Sequence, residues 1–231
     1  MRGASFCKQI GLPALYTDRF SVASLGSSLT AMSSPTAPAS RTSRASPRQR
    51  LLAAAGELFY RYGIGAVGVD LVSQAAGVSK RTLYQQFGSK DELVAASLDQ
   101  AGEAIIGMYL PVGDSLDANR PARQQILAVF DGQREWTSAA GFRGCPFINT
   151  ATELPDPRHP ARAVALSYKL RLRDFFTTQA ERGGCADPQL LADQLLIIFD
   201  GVIVQSVAGT IRRPDAAGNA VAALLDAAGV H

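Results

Sequence analysis

Histidine, cysteine and tryptophan are scarce in this 231-residue chain, which holds two, three and one of them. Cys7, Cys145 and Cys185 form no CxxC pair and share no ligand spacing with His159 or His231. A structural zinc site, which needs four grouped Cys or His donors, is therefore not expected, and no other metal or cofactor signature is present. An odd, sparse set of thiols suits a reducing cytoplasm better than a disulfide-stapled secreted fold. Long apolar runs are also missing. The richest stretch, Leu195 to Ala208, is broken by Asp200 and Gln205 and falls short of the roughly 18–20 apolar residues of a membrane span. Met1 to Pro47 has no continuous apolar core of the signal-peptide kind, because Asp18 and Arg19 interrupt it. No segment alternates in the manner of a strand for more than a few residues, and no fixed period repeats. An all-α fold remains.

The charge is unevenly placed. Residues 1–90 carry 11 Lys+Arg and 3 Asp+Glu, a balance of +8, whereas residues 91–231 carry 12 and 17, a balance of −5. Such asymmetry fits a chain with one end on a polyanion. The first 46 residues lack periodicity, and Ser33 to Pro47 (SSPTAPASRTSRASP) is rich in Ser, Thr, Pro and Ala with scattered Arg. Residues 1–46 are expected to be a disordered basic tail, with Met32 an alternative start. Arg41, Arg44, Arg48 and Arg50 would suit a basic arm in a minor groove or along phosphates.

Val69 to Lys90 (VDLVSQAAGVSKRTLYQQFGSK) is the most informative stretch. Val69, Val72 and Ala75/Ala76 make one apolar face of a short helix. Gly77 suits the left-handed residue that ends it. Ser79 is a good N-cap for the next helix, whose buried face is Leu83 and Phe87. Lys80, Arg81, Thr82, Tyr84, Gln85 and Gln86 are left outward or flanking, and these residue types bond phosphates and base edges. Ser89 and Glu92 form a capping box for the following helix. This is the layout of a helix-turn-helix, which places its second helix in the major groove. Residues 47–92 are expected to form the DNA-binding domain, with Arg48 to Tyr62 its first helix.

AAGVSKRTLYQQFGSKDELV resembles the signature of the TetR family of bacterial transcriptional regulators. The pattern Ala-Gly-Val-Ser, two variable residues, Thr-Leu-Tyr, two variable residues, Phe, then Ser-Lys, an acidic residue and Leu runs ungapped from Ala76 to Leu93. The resemblance is strong from Arg48 to Ile106 and only generally helical beyond. It implies a three-helix DNA-binding domain followed by a larger helical domain (93–231) for effector binding and dimerisation. It implies phosphate contacts from Thr82 and Lys90, with Tyr84 serving backbone or base. It also implies a homodimeric, cytoplasmic protein on a double-stranded DNA operator, most often a repressor released by a small molecule. One departure stands out: Gly68 occupies a position where the family usually has a Thr or Ser cap.

Beyond residue 93, helices are expected over Pro121 to Ala139, Pro146 to Glu153, His159 to Arg182, Pro188 to Ala208 and Pro214 to Ala228. Pro188 to Ala208 is apolar on more than one face, which requires burial on all sides. A dimer interface resembling a cut core would supply it, with Leu195, Ile198, Val202 and Leu224 as candidates. The resemblance points the same way, towards a four-helix interface built from the last two helices. Phe130, Trp136, Cys145, Phe147, Asn149 and Tyr168, with Tyr109, Phe142, Phe175 and Phe176, are candidates for an effector pocket or for plain core. Cys145 is read either as a buried inert thiol or as a sensor. Two competing functions follow. One is an enzyme with Cys145 as nucleophile, His159 as base and Asp156 or Glu153 as orienter. The other is an architectural DNA-binding protein without effector, which a cavity-free core would favour.

Overall fold

The computed structural model describes residues 45–110 and 120–231, without the side chains of Met108 and Tyr109. The expected tail over 1–46, apart from its last two residues, lies outside this range, as do Arg41, Arg44, Cys7 and the Tyr109 side chain. The described residues form nine helices and no strand: α1 Pro47–Tyr62, α2 Val69–Ala76, α3 Lys80–Phe87, α4 Lys90–Tyr109, α5 Ala122–Thr137, α6 Pro146–Glu153, α7 Pro160–Arg182, α8 Pro188–Ala208 and α9 Ala216–Ala227. The all-α expectation holds.

Helix α1 has 16 residues but α2 and α3 only eight each, so the helix ends matter. Ser46 caps α1 through its side chain, and Gln49 reaches back to the Ser46 N–H at 2.8 Å. Ser46 therefore belongs to the fold rather than to the tail. Leu51, Ala55 and Phe59 make the buried stripe of α1. Gly77 takes φ 62°, and the chain closes α2 with Gly77 N–H to Gln74 C=O and Val78 N–H to Ser73 C=O. This paired closure returns two orphan carbonyls to hydrogen bonds and fixes the sharp turn. Gly68 starts α2 with no side-chain cap, as its departure from the family pattern implies.

The 20-residue α4 leaves the small N-terminal group and packs against α1 on one side and α7 on the other. Contact with α7 is close at Gly102, where a Cβ would stand 2.4 Å from the Tyr168 ring. The Tyr168 hydroxyl lies within donating reach of Glu103 Oε1 (2.8 Å) and the Asp99 carbonyl (2.9 Å). Arg171 donates to the same Glu103 oxygen at 2.7 Å. The C-terminal half is a layered bundle in which α7 and α8 pair, with α5 across them. Phe130, Phe176 and Phe199 form its aromatic centre. Arg123 holds the chain end against α5, donating to Val230 C=O at 3.0 Å and pairing with Asp226 at 2.7 Å.

Helix α8 corrects two expectations. At 21 residues it is, by length and composition alone, long and apolar enough to cross a membrane. However, Leu191, Ala192, Leu195, Phe199 and Ile203 are buried in the bundle, and Asp200 pairs with Lys169 of α7. Leu195 is fully enclosed within one chain, so it cannot meet a partner. Ile198, Val202 and Leu224 are only half-buried. The outward stripe of α8 is instead Leu190, Ile197 and Val204, seven residues apart, with Ile197 70% exposed. Periodicity could not separate the two faces, because both are apolar.

Candidate nucleic-acid interface

Leu83 and Phe87 anchor α3 from beneath, with Leu83 fully buried. The opposite face is left to solvent: Lys80, Arg81, Tyr84, Gln85 and Gln86 are exposed, and Thr82 half so. Ser79 accepts from the Thr82 N–H at 3.1 Å and shares a 2.9 Å hydrogen bond with the Thr82 hydroxyl. The helix start is thus closed locally, and the row of donors and amides behind it stays free. Lys80 is the partial exception, lying 2.7 Å from Asp70 of α2. Both ends of that ion pair are exposed, so it is weak and readily exchanged for a phosphate.

Three basic residues have different surroundings from those expected. Arg48 does not extend as an arm: its guanidinium stacks 4.4 Å from the Phe87 ring and donates to Gln86 C=O at 3.1 Å. Arg50 donates to Ala76 C=O at 3.0 Å, at the negative end of α2. Both stitch α1 to the helix-turn-helix. Lys90, expected to aim at phosphate, donates to Ile64 C=O at 2.7 Å and is half-buried. Two of the three ammonium protons remain, so a phosphate would share it rather than own it.

The Ile64 peptide is held from its other side too. Glu153, at the end of α6, accepts from Ile64 N–H at 2.6 Å and Gly65 N–H at 3.4 Å. The loop between α1 and α2 is thereby gripped by one carboxylate and one ammonium from elements beyond it. Tyr60 adds a second tie, donating to Gly144 C=O at 3.0 Å and accepting from Arg143 N–H at 2.8 Å. Glu153 and Tyr60 were missed as junction residues. Their partners lie more than 80 positions away, where helical periodicity carries no signal.

Behind this junction lies a cavity of about 200 Å³. Helix α1 supplies Leu52, Gly56, Glu57, Phe59 and Tyr60 to its wall. Val94, Leu98, Ala101 and Ile105 of α4 face them, and Trp136, Asn149, Thr150 and Glu153 close the far side. Gly56 sits mid-helix with nothing within 4 Å of where its Cβ would be. A glycine there costs roughly 0.5–1 kcal/mol relative to alanine and leaves space in the cavity. Of the expected pocket residues, only Trp136 and Asn149, with Thr150 read beside Asn149 as a polar pocket group, line this space. Phe130, Phe147 and Tyr168 are core instead: Phe130 stacks on Phe176, and Phe147 on Tyr168 at 4.9 Å. Cys145 is buried at the start of α6, and burial pushes its thiol up, away from the thiolate a sensor needs. His159 is turned to other partners. It accepts from Ala161 N–H at 3.2 Å through Nδ1, and its Nε2 faces Asp91 at 3.3 Å, so neither nitrogen serves Cys145. A more polar cleft of about 550 Å³ adjoins the cavity, sharing Tyr60, Asn149 and Glu153 and adding Arg143 and Ser206.

A capped, outward polar helix on a three-helix base, continued into a helical bundle, is the layout of a helix-turn-helix protein. The family description "Bacterial regulatory proteins, tetR family" matches residues 51–97. A solved structure from Streptomyces avermitilis, described as a TetR transcriptional regulator, is 43% identical. The match covers 81% of this chain and all of that one, with a TM-score of 0.75. SCO4454, a TetR-family transcriptional regulator from Streptomyces coelicolor, is 30% identical over 79% of this chain and 96% of its own, with a TM-score of 0.69. The chain belongs to the TetR family of bacterial transcriptional regulators. It is also similar to the HTH-type transcriptional activator FasR of Mycolicibacterium smegmatis, 37% identical over 92 residues, or 39% of this chain and 42% of FasR. The HTH-type transcriptional repressor BdcR of Escherichia coli is 31% identical over 129 residues, covering 55% of this chain and 62% of BdcR.

Proposed function

We propose that this chain is a homodimeric, sequence-specific DNA-binding regulator of the cytoplasm, acting as a repressor that a small-molecule effector releases. The observation that carries the reading is the free face of α3. Apart from Lys80, which pairs with Asp70, and Thr82, which bonds Ser79, its side chains have direct-readout chemistry and no partner among the described side chains, while the buried Leu83 and Phe87 anchor the helix. Arg81 and Gln85 are assigned to base edges, Gln86 and Tyr84 to bases or sugar-phosphate, and Ser79, Lys80, Thr82 and Lys90 to phosphates. Dimerisation is supported by the outward stripe Leu190, Ile197, Val204 and Val207 of α8, an exposed apolar surface that a second copy would cover. An effector is supported by the cavity at the junction, which an architectural protein would not need.

Repression follows from occupancy alone, with no further partner required. The activator reading has one observation behind it, the likeness to FasR. Transcription in vitro from a promoter carrying the bound site separates the two: repression lowers the transcript as protein is added, activation raises it. Binding itself is tested by selecting sequences from a random duplex pool with the full chain. Enrichment of one motif, lost with Arg81→Ala or Gln85→Ala, supports the reading. Enrichment of no motif refutes it.

A further inference from the structure

The junction cavity has an unbalanced chemistry. Among the described residues its only carboxylates are Glu57 and Glu153, and no Lys, Arg or His lines it. Glu153 is occupied by the Ile64 and Gly65 N–H groups, and Lys90 lies nearby, donating to the Ile64 carbonyl. Glu57, half-buried, has no hydrogen-bond or ion-pair partner among the described residues. Arg143 lines only the adjoining cleft. The rest of the wall is largely aliphatic; of its two large rings, Phe59 already faces the Lys90 ammonium at 5.9 Å and Trp136 packs edge-on against Phe142. Such a space favours a cation with an apolar body, since the Glu57 carboxylate attracts positive charge and the aliphatic wall accepts an apolar skeleton. An anion would meet Glu57 unscreened.

Size narrows the class. About 200 Å³ exceeds the roughly 150 Å³ that holds one benzene and is smaller than the roughly 300–1,000 Å³ of a drug-sized site. We propose that this cavity is the effector site, and that it takes a compact lipophilic amine, protonated and paired with Glu57. The proposal rests on the reading of the chain as an effector-controlled regulator. Because α1 of the DNA-binding part forms one wall and α4, α5 and α6 the others, ligand affinity depends on how these helices are set. A ligand that prefers one setting shifts the recognition helices with it.

The test is calorimetric titration of the full chain with 2-phenylethylamine, 2-phenylethanol and phenylacetate, one skeleton in three charge states. The amine should bind at least about tenfold more tightly than the alcohol, as a charged hydrogen bond implies, and phenylacetate should not bind. Glu57→Gln should bring the amine down to the alcohol while leaving the alcohol unchanged. Gly56→Leu should abolish both by filling the space. Gly56→Ala, which relieves a helix glycine and adds one methyl, should weaken both while the helix remains intact by circular dichroism. An amine no tighter than the alcohol, a preference surviving Glu57→Gln, or full binding by both Gly56 variants would overturn the proposal. A gel shift on pool-selected DNA separates the two levels. Release of DNA by a compound whose action survives both Gly56 variants would sink the site and leave the regulator standing. Amine binding that never weakens DNA binding would sink the effector role.

Discussion

Lys90 carries a contact within the fold besides the phosphate contact proposed for it. Its bond to the Ile64 carbonyl crosses 26 positions and fixes the loop that sets α2 against α1. Lys90→Ala should therefore lower stability by about 1.5–3 kcal/mol, the usual worth of a hydrogen bond to a charged group, besides weakening binding to all DNA sequences alike. Urea denaturation checks the first effect and a salt titration of DNA affinity the second. An unchanged midpoint would mean the Ile64 contact is idle. Arg81→Ala and Gln85→Ala should leave stability alone and relax selectivity at particular bases, by about 1–3 kcal/mol if a bidentate pair is lost. Equal losses on selected and random DNA would contradict that division. The α3 residues were legible in sequence because capping, turn and buried-face signals all lie within a dozen positions. Arg48, Arg50 and Glu153 were not, since their partners are set by tertiary packing that a local pattern does not encode.

At the scale of elements, the helix ends and faces give separable expectations. Gly68 starts α2 in an extended conformation with open space around its missing Cβ. Gly68→Ser should add the absent cap acceptor and remove glycine's unfolded-state freedom, raising stability by about 0.5–1 kcal/mol. Thermal or urea unfolding reads it, and a loss of stability would show that the turn needs glycine. The α4–α7 contact carries a pH signature. The Arg171 guanidinium, and next the Tyr168 hydroxyl, hold the Glu103 carboxyl below its ordinary range. A carboxyl with a depressed folded-state pKa adds stability above its unfolded value near 4.5, and that share is lost as pH falls through the folded value. Glu103→Gln should therefore lower stability at pH 7 and flatten its decline between about pH 5 and 3. A parallel decline in both proteins would remove Glu103 from the acid response. The boundaries of α8 were readable from its apolar run, but not which side faces the core, because Leu195 and Ile197 are equally apolar and differ only in what packs on them.

At the scale of the molecule, the proposed function joins the basic end and the apolar outer stripe in one design, in which a dimer would present two recognition helices to one duplex. Ile197→Glu changes a residue that is exposed within a single chain, so the fold should survive while the dimer fails. Two unpaired carboxylates brought together out of water cost several kcal/mol. Sedimentation should show a folded monomer, and DNA affinity should collapse because the linked second contact is lost. A dimer with normal affinity would place the interface elsewhere. DNA binding should also weaken steeply with salt, by about 0.9 log units of affinity per phosphate contact per log unit of salt. The most direct measurement is a footprint of the full chain on duplexes selected from a random pool. Two inverted half-sites about 34–36 Å apart, protected together at one dimer per site, are expected. Protection of a single half-site, or uniform protection without sequence preference, would contradict the account.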